Sequence, residues 1–282
     1  MPPYDPNLLK RLEYLRLAWQ RRGVRWLAPA VGRLPGGQCA PADHRDYAPG
    51  DPLWHVDWNL CARSDELLTR QFWGEADAHV YLLLDCSRSM SLGEPSRFEA
   101  ACRYAAALGY WGLASGWRVG AAGFAHRIVD QTPLLCGRAR VGRLLGFLAS
   151  LAPAHAPTDL AGAAAEFVRR RQRGGPIVVL SDMHAGGGLR QGLDILRLSG
   201  YAPRVLWIDD SREPSPLGDV ELFDVESGAA RQVTLTESDL LRYRRRWAAF
   251  AEGLRRFCAG RGIPCARIPA DLPETALERV WP

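Results

Sequence analysis

The sequence predicts an α/β protein built on a doubly wound, mostly parallel sheet, and three observations carry that expectation. From residue 78 onward, short apolar runs alternate with longer stretches whose apolar residues recur every three or four positions. That is the pattern of strands alternating with helices, and it implies a parallel sheet covered on both faces. Several of the short runs, AHVYLLLD (78–85) above all, are apolar without alternation, as a strand buried on both faces must be. The connections are short, so successive elements are neighbours in space.

The totals agree. A chain of 282 residues can form one large domain or one and a half. With 47% hydrophobic and 24% charged residues, it is not a disordered chain. The uncharged stretch Tyr104 to Trp117 is Ala/Gly-rich and, like every other in the sequence, shorter than the roughly 18 to 20 apolar residues a membrane span needs. The opening MPPYDPNLLKRLEYL has no apolar core of the signal-peptide kind. A soluble cytoplasmic protein is the expectation.

The elements follow in order. NLLKRLEYLRLAWQRR (7–22) sets Leu8, Leu12, Leu15 and Trp19 at spacings of three and four, an amphipathic helix. LPGGQCAPADHRDYAPGD (34–51) is Gly/Pro-rich loop with short strands. VDWNLCARSDELLTRQFW (56–73) alternates and predicts a hairpin. After the strand at 78–85 comes a helix over 96–115, with Ser96 as N-cap and Glu99 three residues on, a capping box. RVGAAGFA (118–125) is a strand and RARVGRLLGFLASLA (138–152) a helix. TDLAGAAAEFVRRRQ (158–172) is a second helix, capped by Thr158 or Asp159. PIVVLSD (176–182) is a strand, 187–200 a helix, RVLWIDD (204–210) a strand, 238–262 a long helix and IPCARIPA (263–270) a last short strand. Residues 1–75, a helix and a β-hairpin region, are expected to pack as an extension on a main domain of 76–282.

The strand at 78–85 stops at DCSRS. In open α/β sheets, ligands sit beyond the carboxyl ends of the strands. If the chain stays extended past Asp85, then Asp85, Ser87 and Ser89 point to one side. One carboxylate and two hydroxyls are hard oxygen donors, suited to Mg2+ or Mn2+ rather than zinc. Thr158 stands in a loop before a helix, and Asp182 ends a second buried strand. Adjacent strands would bring Asp85 and Asp182 together, and two such carboxylates repel unless a cation lies between them. As plain structure, the same serines are turn residues and Asp85 a cap.

These residues resemble a known arrangement. Asp85-Cys86-Ser87-Arg88-Ser89, then Thr158, then Asp182, is similar to the metal-ion-dependent adhesion site of von Willebrand factor A domains. RDYAPGDPLWHVDWNLCAR (45–63) resembles the signature of the bacterial domain-of-unknown-function family 58, through Tyr47, Pro49-Gly50-Asp51, Asp57-Trp58-Asn59 and Ala62-Arg63. An Arg usually stands in the family where this chain has Trp54, so this chain departs from the family's pattern by having no charged side chain there. The resemblance implies a von Willebrand factor A-like domain in which the metal keeps one coordination position open for a partner's carboxylate, with no bond made or broken. It also implies association with MoxR-type AAA+ ATPases, or with their clients, in the assembly or maturation of other proteins. The PGD and DWN stretch reads either as a hairpin sealing one sheet edge or as a partner-binding surface.

Other functions find less support. There is no GxSxG elbow, and Lys10 is the only lysine, so no phosphate-loop lysine exists. The glycines of MHAGGGLRQGL (183–193) do not fit GxGxxG. A metal-dependent hydrolase using Asp85 and Asp182 would need a base, for which His184 is the nearby candidate. Nucleic-acid binding would rest on Arg242, Arg244, Arg245 and Arg246 with Tyr243 and Trp247. Leu240, Trp247, Leu254 and Cys258 form a core stripe on that helix, which leaves the arginines as its solvated face. Seven cysteines, none in CxxC pairs, predict free thiols, no zinc knuckle and no structural disulfide.

Overall fold

The structure is a computed structural model that describes residues 6–21, 41–47, 56, 60–62, 67–72, 79–154, 156–170, 174–184, 188–209, 217–225 and 229–277. The chain divides into two compact units. One is Met1–Leu27 with His79–Pro282; the other is Ala28–Ala78.

Helix α1 (Pro6–Arg21) buries Leu8, Leu12, Leu15 and Trp19, the stripe its spacing predicts. In the second unit, β1 (Pro41–Asp46) pairs antiparallel with β2 (Leu68–Phe72). This corrects the hairpin expected within 56–73. Residues 60–62 are helical, and β2 takes its partner from the Gly/Pro-rich stretch upstream. The β1 sequence, PADHRD, offers no apolar alternation, because backbone hydrogen bonds hold such a ribbon and they carry no side-chain signature.

The main sheet is built from β3 (His79–Asp85), β4 (Arg118–Phe124), β5 (Ile128–Gln131), β6 (Leu135–Cys136), β7 (Pro176–Ser181), β8 (Ala202–Asp209) and β11 (Cys265–Pro269). Its order is β11-β8-β7-β3-β4-β5, with β6 also on β4. All neighbours are parallel except β5 and β6, which run antiparallel to β4. The fold is therefore α/β and doubly wound. The chain moves from β3 outward to β4, then returns to β7 and continues the other way. That reversal puts a topological switch point between β3 and β7.

Helices cover both faces. Helix α2 (Arg97–Ala114) starts with the expected capping box, both halves formed: Ser96 accepts from the Glu99 N–H and Glu99 from the Ser96 N–H. Its Gly109 and Gly112 let it approach closely, since a Cβ there would lie 2.3 Å from Leu144 Cδ2 and 2.8 Å from Val119 Cγ2. Helix α1 packs on α2 through Trp19 against Trp111, edge to face at 5.8 Å, and through the Tyr110 hydroxyl donated to Glu13. Helix α3 (Val141–Ser150) also packs on α2.

On the opposite face, Leu160 and Phe167 of α4 (Leu160–Arg169), Leu189 and Leu193 of α5 (Gly188–Leu198), and Leu254 of α6 (Glu237–Ala259) share one buried cluster with Tyr81, Leu83, Val179 and Trp207 of the sheet. Before α6, β9 (Gly218–Phe223) and β10 (Ala230–Leu235) form a separate antiparallel hairpin. Among the described residues no helix is long and apolar enough to cross a membrane, and the six described cysteines are free thiols.

Candidate functional site

The switch point places the end of β3 beside the end of β7. Leu84 stands opposite Leu180 in the parallel register, so Asp85 faces Ser181 and Asp182 follows immediately. Both aspartates are fully buried, at 0% exposure. Asp85 Oδ1 accepts the Ser87 N–H at 2.8 Å, and Oδ2 accepts the Ser181 hydroxyl at 2.6 Å. The backbone is still extended at Ser87 (φ −67°, ψ 164°) before a 3-10 turn over Arg88–Ser91. That geometry brings the Ser87 and Ser89 hydroxyls to 3.1 Å of each other. Both serines are buried.

The loop before α4 closes on the same place. The Ala154 N–H donates to Cys86 O, the Arg88 N–H to Ala156 O and the Asp159 N–H to Ala125 O. Of the two candidate caps, Asp159 is the one used: its side chain accepts the Ala161 and Gly162 N–H groups. Thr158 is thereby left outside the helix, and its Oγ1 is buried with no hydrogen-bond partner. A buried hydroxyl without a partner costs free energy unless something meets it.

Asp182 is held differently. Its Oδ2 accepts Arg97 Nη1 at 2.9 Å, and its Oδ1 accepts the His184 N–H at 3.1 Å. His184 Nδ1 lies 3.4 Å from Oδ2, and its ring packs on Trp247 at 4.8 Å. The turn between them holds Met183 at φ 58°, left-handed backbone that a non-glycine residue adopts only under constraint. The Met183 N–H donates to the Ser181 hydroxyl, which fixes that turn.

The electrostatics separate the two carboxylates. Asp182 has a cation beside it in Arg97, whereas the partners of Asp85 are neutral donors. Burial pushes the Asp85 carboxyl up, and the charge of Asp182 adds to this. Hydrogen bonds from Ser181 and Ser87 oppose it, leaving Asp85 at about 7. The adjacent Cys86 thiol is raised far above its ordinary value by burial, so it is not a nucleophile at neutral pH.

The polar groups gathered here are two carboxylates and the hydroxyls of Ser87 and Ser89, and the loop that carries Thr158 is hydrogen-bonded to the backbone of Cys86 and Arg88. Carboxylate and hydroxyl oxygens are hard donors, the kind that could hold a small divalent cation such as Mg2+ or Mn2+. Among the described residues no group of three or more His, Cys, Asp or Glu is gathered to hold a metal, so a cation here would depend on hydroxyls and water as well. Sequence reasoning missed Ser181 and Arg97. A polar residue inside an otherwise buried strand was the available signal for Ser181. Arg97 had none, being 85 positions from the residue it pairs with.

Of the signature in the second unit, Tyr47 is half-buried and its N–H donates to Leu67 O at 2.8 Å. Pro49, Gly50, Asp51, Asp57, Trp58, Asn59 and Arg63 lie outside the described residues, as does Trp54.

Residues 43–253 match the family described as protein of unknown function DUF58. The chain is 27% identical over 280 residues to the Mycobacterium tuberculosis (strain ATCC 25618 / H37Rv) protein described as Uncharacterized protein Rv1480, covering 95% of this chain and 86% of that protein. Uncharacterized protein Mb1516 of Mycobacterium bovis matches to the same extent. Among solved structures, the conserved hypothetical protein BatB from Bacteroides thetaiotaomicron is similar at 22% identity and a TM-score of 0.49, over 72% of this chain and 94% of that one. A von Willebrand factor type A protein from Catenulispora acidiphila is similar at 18% identity and a TM-score of 0.37, over 51% of this chain and 35% of that one.

Proposed function

The chain belongs to the DUF58 family, and on that footing we propose that it is a non-enzymatic protein-interaction module whose Asp85 site works with a divalent cation, Mg2+ or Mn2+. Asp85, Ser87 and Ser89 would hold the ion. Thr158 would join them directly or through water. Asp182 would act through water, because both of its oxygens already accept hydrogen bonds. When bound, the ion supplies a positive charge with a position open to a carboxylate of a partner protein. The partner class is a MoxR-type AAA+ ATPase or its client, in the cytoplasm.

The observation that carries this reading is the pair of fully buried carboxylates at adjacent strand ends, of which only Asp182 has a cation beside it. A buried carboxylate without a counter-charge is costly. A cation at Asp85 removes that cost and gives the orphaned Thr158 hydroxyl a role. One observation favours a second reading, metal-dependent hydrolysis: His184 sits against Asp182 as a general base would.

Calorimetric titration of the full chain with Mg2+ and Mn2+ tests the proposal. Saturable binding should appear and should vanish in Asp85→Ala. Capture of the purified MoxR-type ATPase should then need the metal, fail in EDTA and fail with Asp85→Ala. Full capture by that variant, unaffected by EDTA, would refute the metal-bridged module. Metal-dependent phosphoesterase or peptidase turnover lost in His184→Ala would establish the second reading instead.

A further inference from the structure

None of the described residues from Leu217 to Arg246 is buried. Every described residue of β9 and β10 is exposed or half-buried, and an isolated two-stranded hairpin is marginal in water. The following helix α6 runs for 23 residues, yet its buried positions, Leu254 and Cys258, lie in its last turns. Residues 241–246 are exposed without interruption, which is more than one full turn with no face covered. Exposed large apolar side chains concentrate here. Six of the thirteen among the described residues are Leu217, Leu222, Phe223, Leu241, Tyr243 and Phe250. Such a concentration marks an interaction surface.

Hairpin and helix form one continuous arm. Strand β10 ends at Leu235, and Thr236 is already the N-cap of α6, in a capping box with Asp239. No linker separates them. The two halves carry opposite charge. The hairpin presents Asp219, Glu221 and Asp224 against Arg231 among its described residues, and the helix presents Arg242, Arg245 and Arg246, all exposed. The acidic residues of the first helical turn, Glu237 and Asp239, serve the cap and the helix dipole.

We propose that this arm is a self-complementary interface that pairs two copies of the chain, the acidic hairpin of each lying on the basic first half of α6 of the other. A two-fold axis satisfies both halves at once, because each copy offers the surface the other lacks. The dimensions agree. A six-residue strand is about 20 Å long, and the stretch from Leu240 to Phe250 is about 16 Å long. Phe223 shares its strand face with Asp219 and Glu221, so it lies against Leu241, next to the arginines, and each element covers an exposed apolar side chain of the other. A partner of one charge sign would match only half of the arm. Nucleic acid in particular would be drawn to the arginines and repelled by the hairpin beside them.

Sedimentation equilibrium on the full chain between 1 and 100 μM (about the range in which such contacts are populated) tests this. The wild type should be a dimer, weakened at least tenfold in 0.5 M NaCl relative to 0.05 M, since exposed charge pairs are screened. Two double variants follow: Arg245→Glu with Arg246→Glu, and Asp219→Arg with Glu221→Arg. Each should be monomeric alone, because both contacts of its homodimer become like-charged. An equimolar mixture should restore a dimer, because both contacts of the mixed pair are again opposite in sign. Circular dichroism checks that each variant is folded, and rescue in the mixture requires it. A monomeric wild type at the highest concentration overturns the proposal. So does a dimer that both double variants leave intact, or two monomeric variants that fail to pair. EDTA should change none of these results, so they stand apart from the metal titration.

Discussion

Replacing Asp85 by Asn tests the electrostatics of the site without changing its shape. The Asp85 carboxyl is raised from 3.8 to about 7, by burial first and by the charge of Asp182 second. A group whose folded pKa lies above its unfolded value lends stability that is fully present below the unfolded value and is lost as pH rises through the folded one. Here the loss runs from about pH 4 to about pH 7. At about 1.4 kcal/mol per unit, three units come to about 4 kcal/mol of destabilisation at pH 8 in the absence of metal. Asp85→Asn carries no charge and escapes that loss. Its amide oxygen can still accept the Ser181 hydroxyl, but its NH2 then faces the Ser87 N–H, a mismatch of about 1 to 3 kcal/mol. That mismatch is the same at every pH. Comparing pH 5 with pH 8 therefore isolates the ionisation: over that interval the wild type should lose about 2 to 3 kcal/mol relative to the variant. Urea unfolding of both proteins in EDTA at the two pH values reads the difference directly. A relative shift below about 1 kcal/mol, less than one pKa unit, would refute the claim that Asp85 is a buried carboxylate without a counter-charge.

Mg2+ affinity, followed by calorimetry, should fall about tenfold per pH unit below 7, because the ion needs the ionised form of Asp85. Thr158→Ala should weaken Mg2+ binding while raising metal-free stability by about 1 kcal/mol, since it removes a buried hydroxyl that has no partner; equal Mg2+ affinity would take Thr158 out of the site. Gly192→Ala should lower stability by about 2 to 3 kcal/mol, because its Cβ would lie 2.6 Å from Leu160 Cγ and 2.7 Å from the Leu160 carbonyl, and the start of α4 cannot give way cheaply; denaturant titration checks this.

The legible part of the molecule is the part where something had to be buried. AHVYLLLD and PIVVLSD have no polar face because both faces of those strands are covered, and a strand of that kind must end where the apolar run ends. That is why Asp85 and Asp182 could be placed side by side from the sequence alone. The hairpin β9–β10 shows the converse. In GDVELF and ARQVTL no residue is buried, and Val220, Val233 and Leu235 on one face reach only half-burial, so each strand shows a short alternation of polar and apolar residues with no apolar run to mark it. Thr158 and Asp159 were equal candidates for one cap, and only the fold reveals that Asp159 takes it, which leaves the Thr158 hydroxyl free of the helix and available to the site. Arg97 is the sharpest case. As the first residue of α2 it follows a capping serine, and nothing within a turn of it predicts a buried partner. Yet its guanidinium on Asp182 is what makes the two aspartates unequal. Without it both carboxylates would compete for a cation; with it, Asp182 is already balanced and Asp85 is the one carboxylate of the pair that still calls for positive charge.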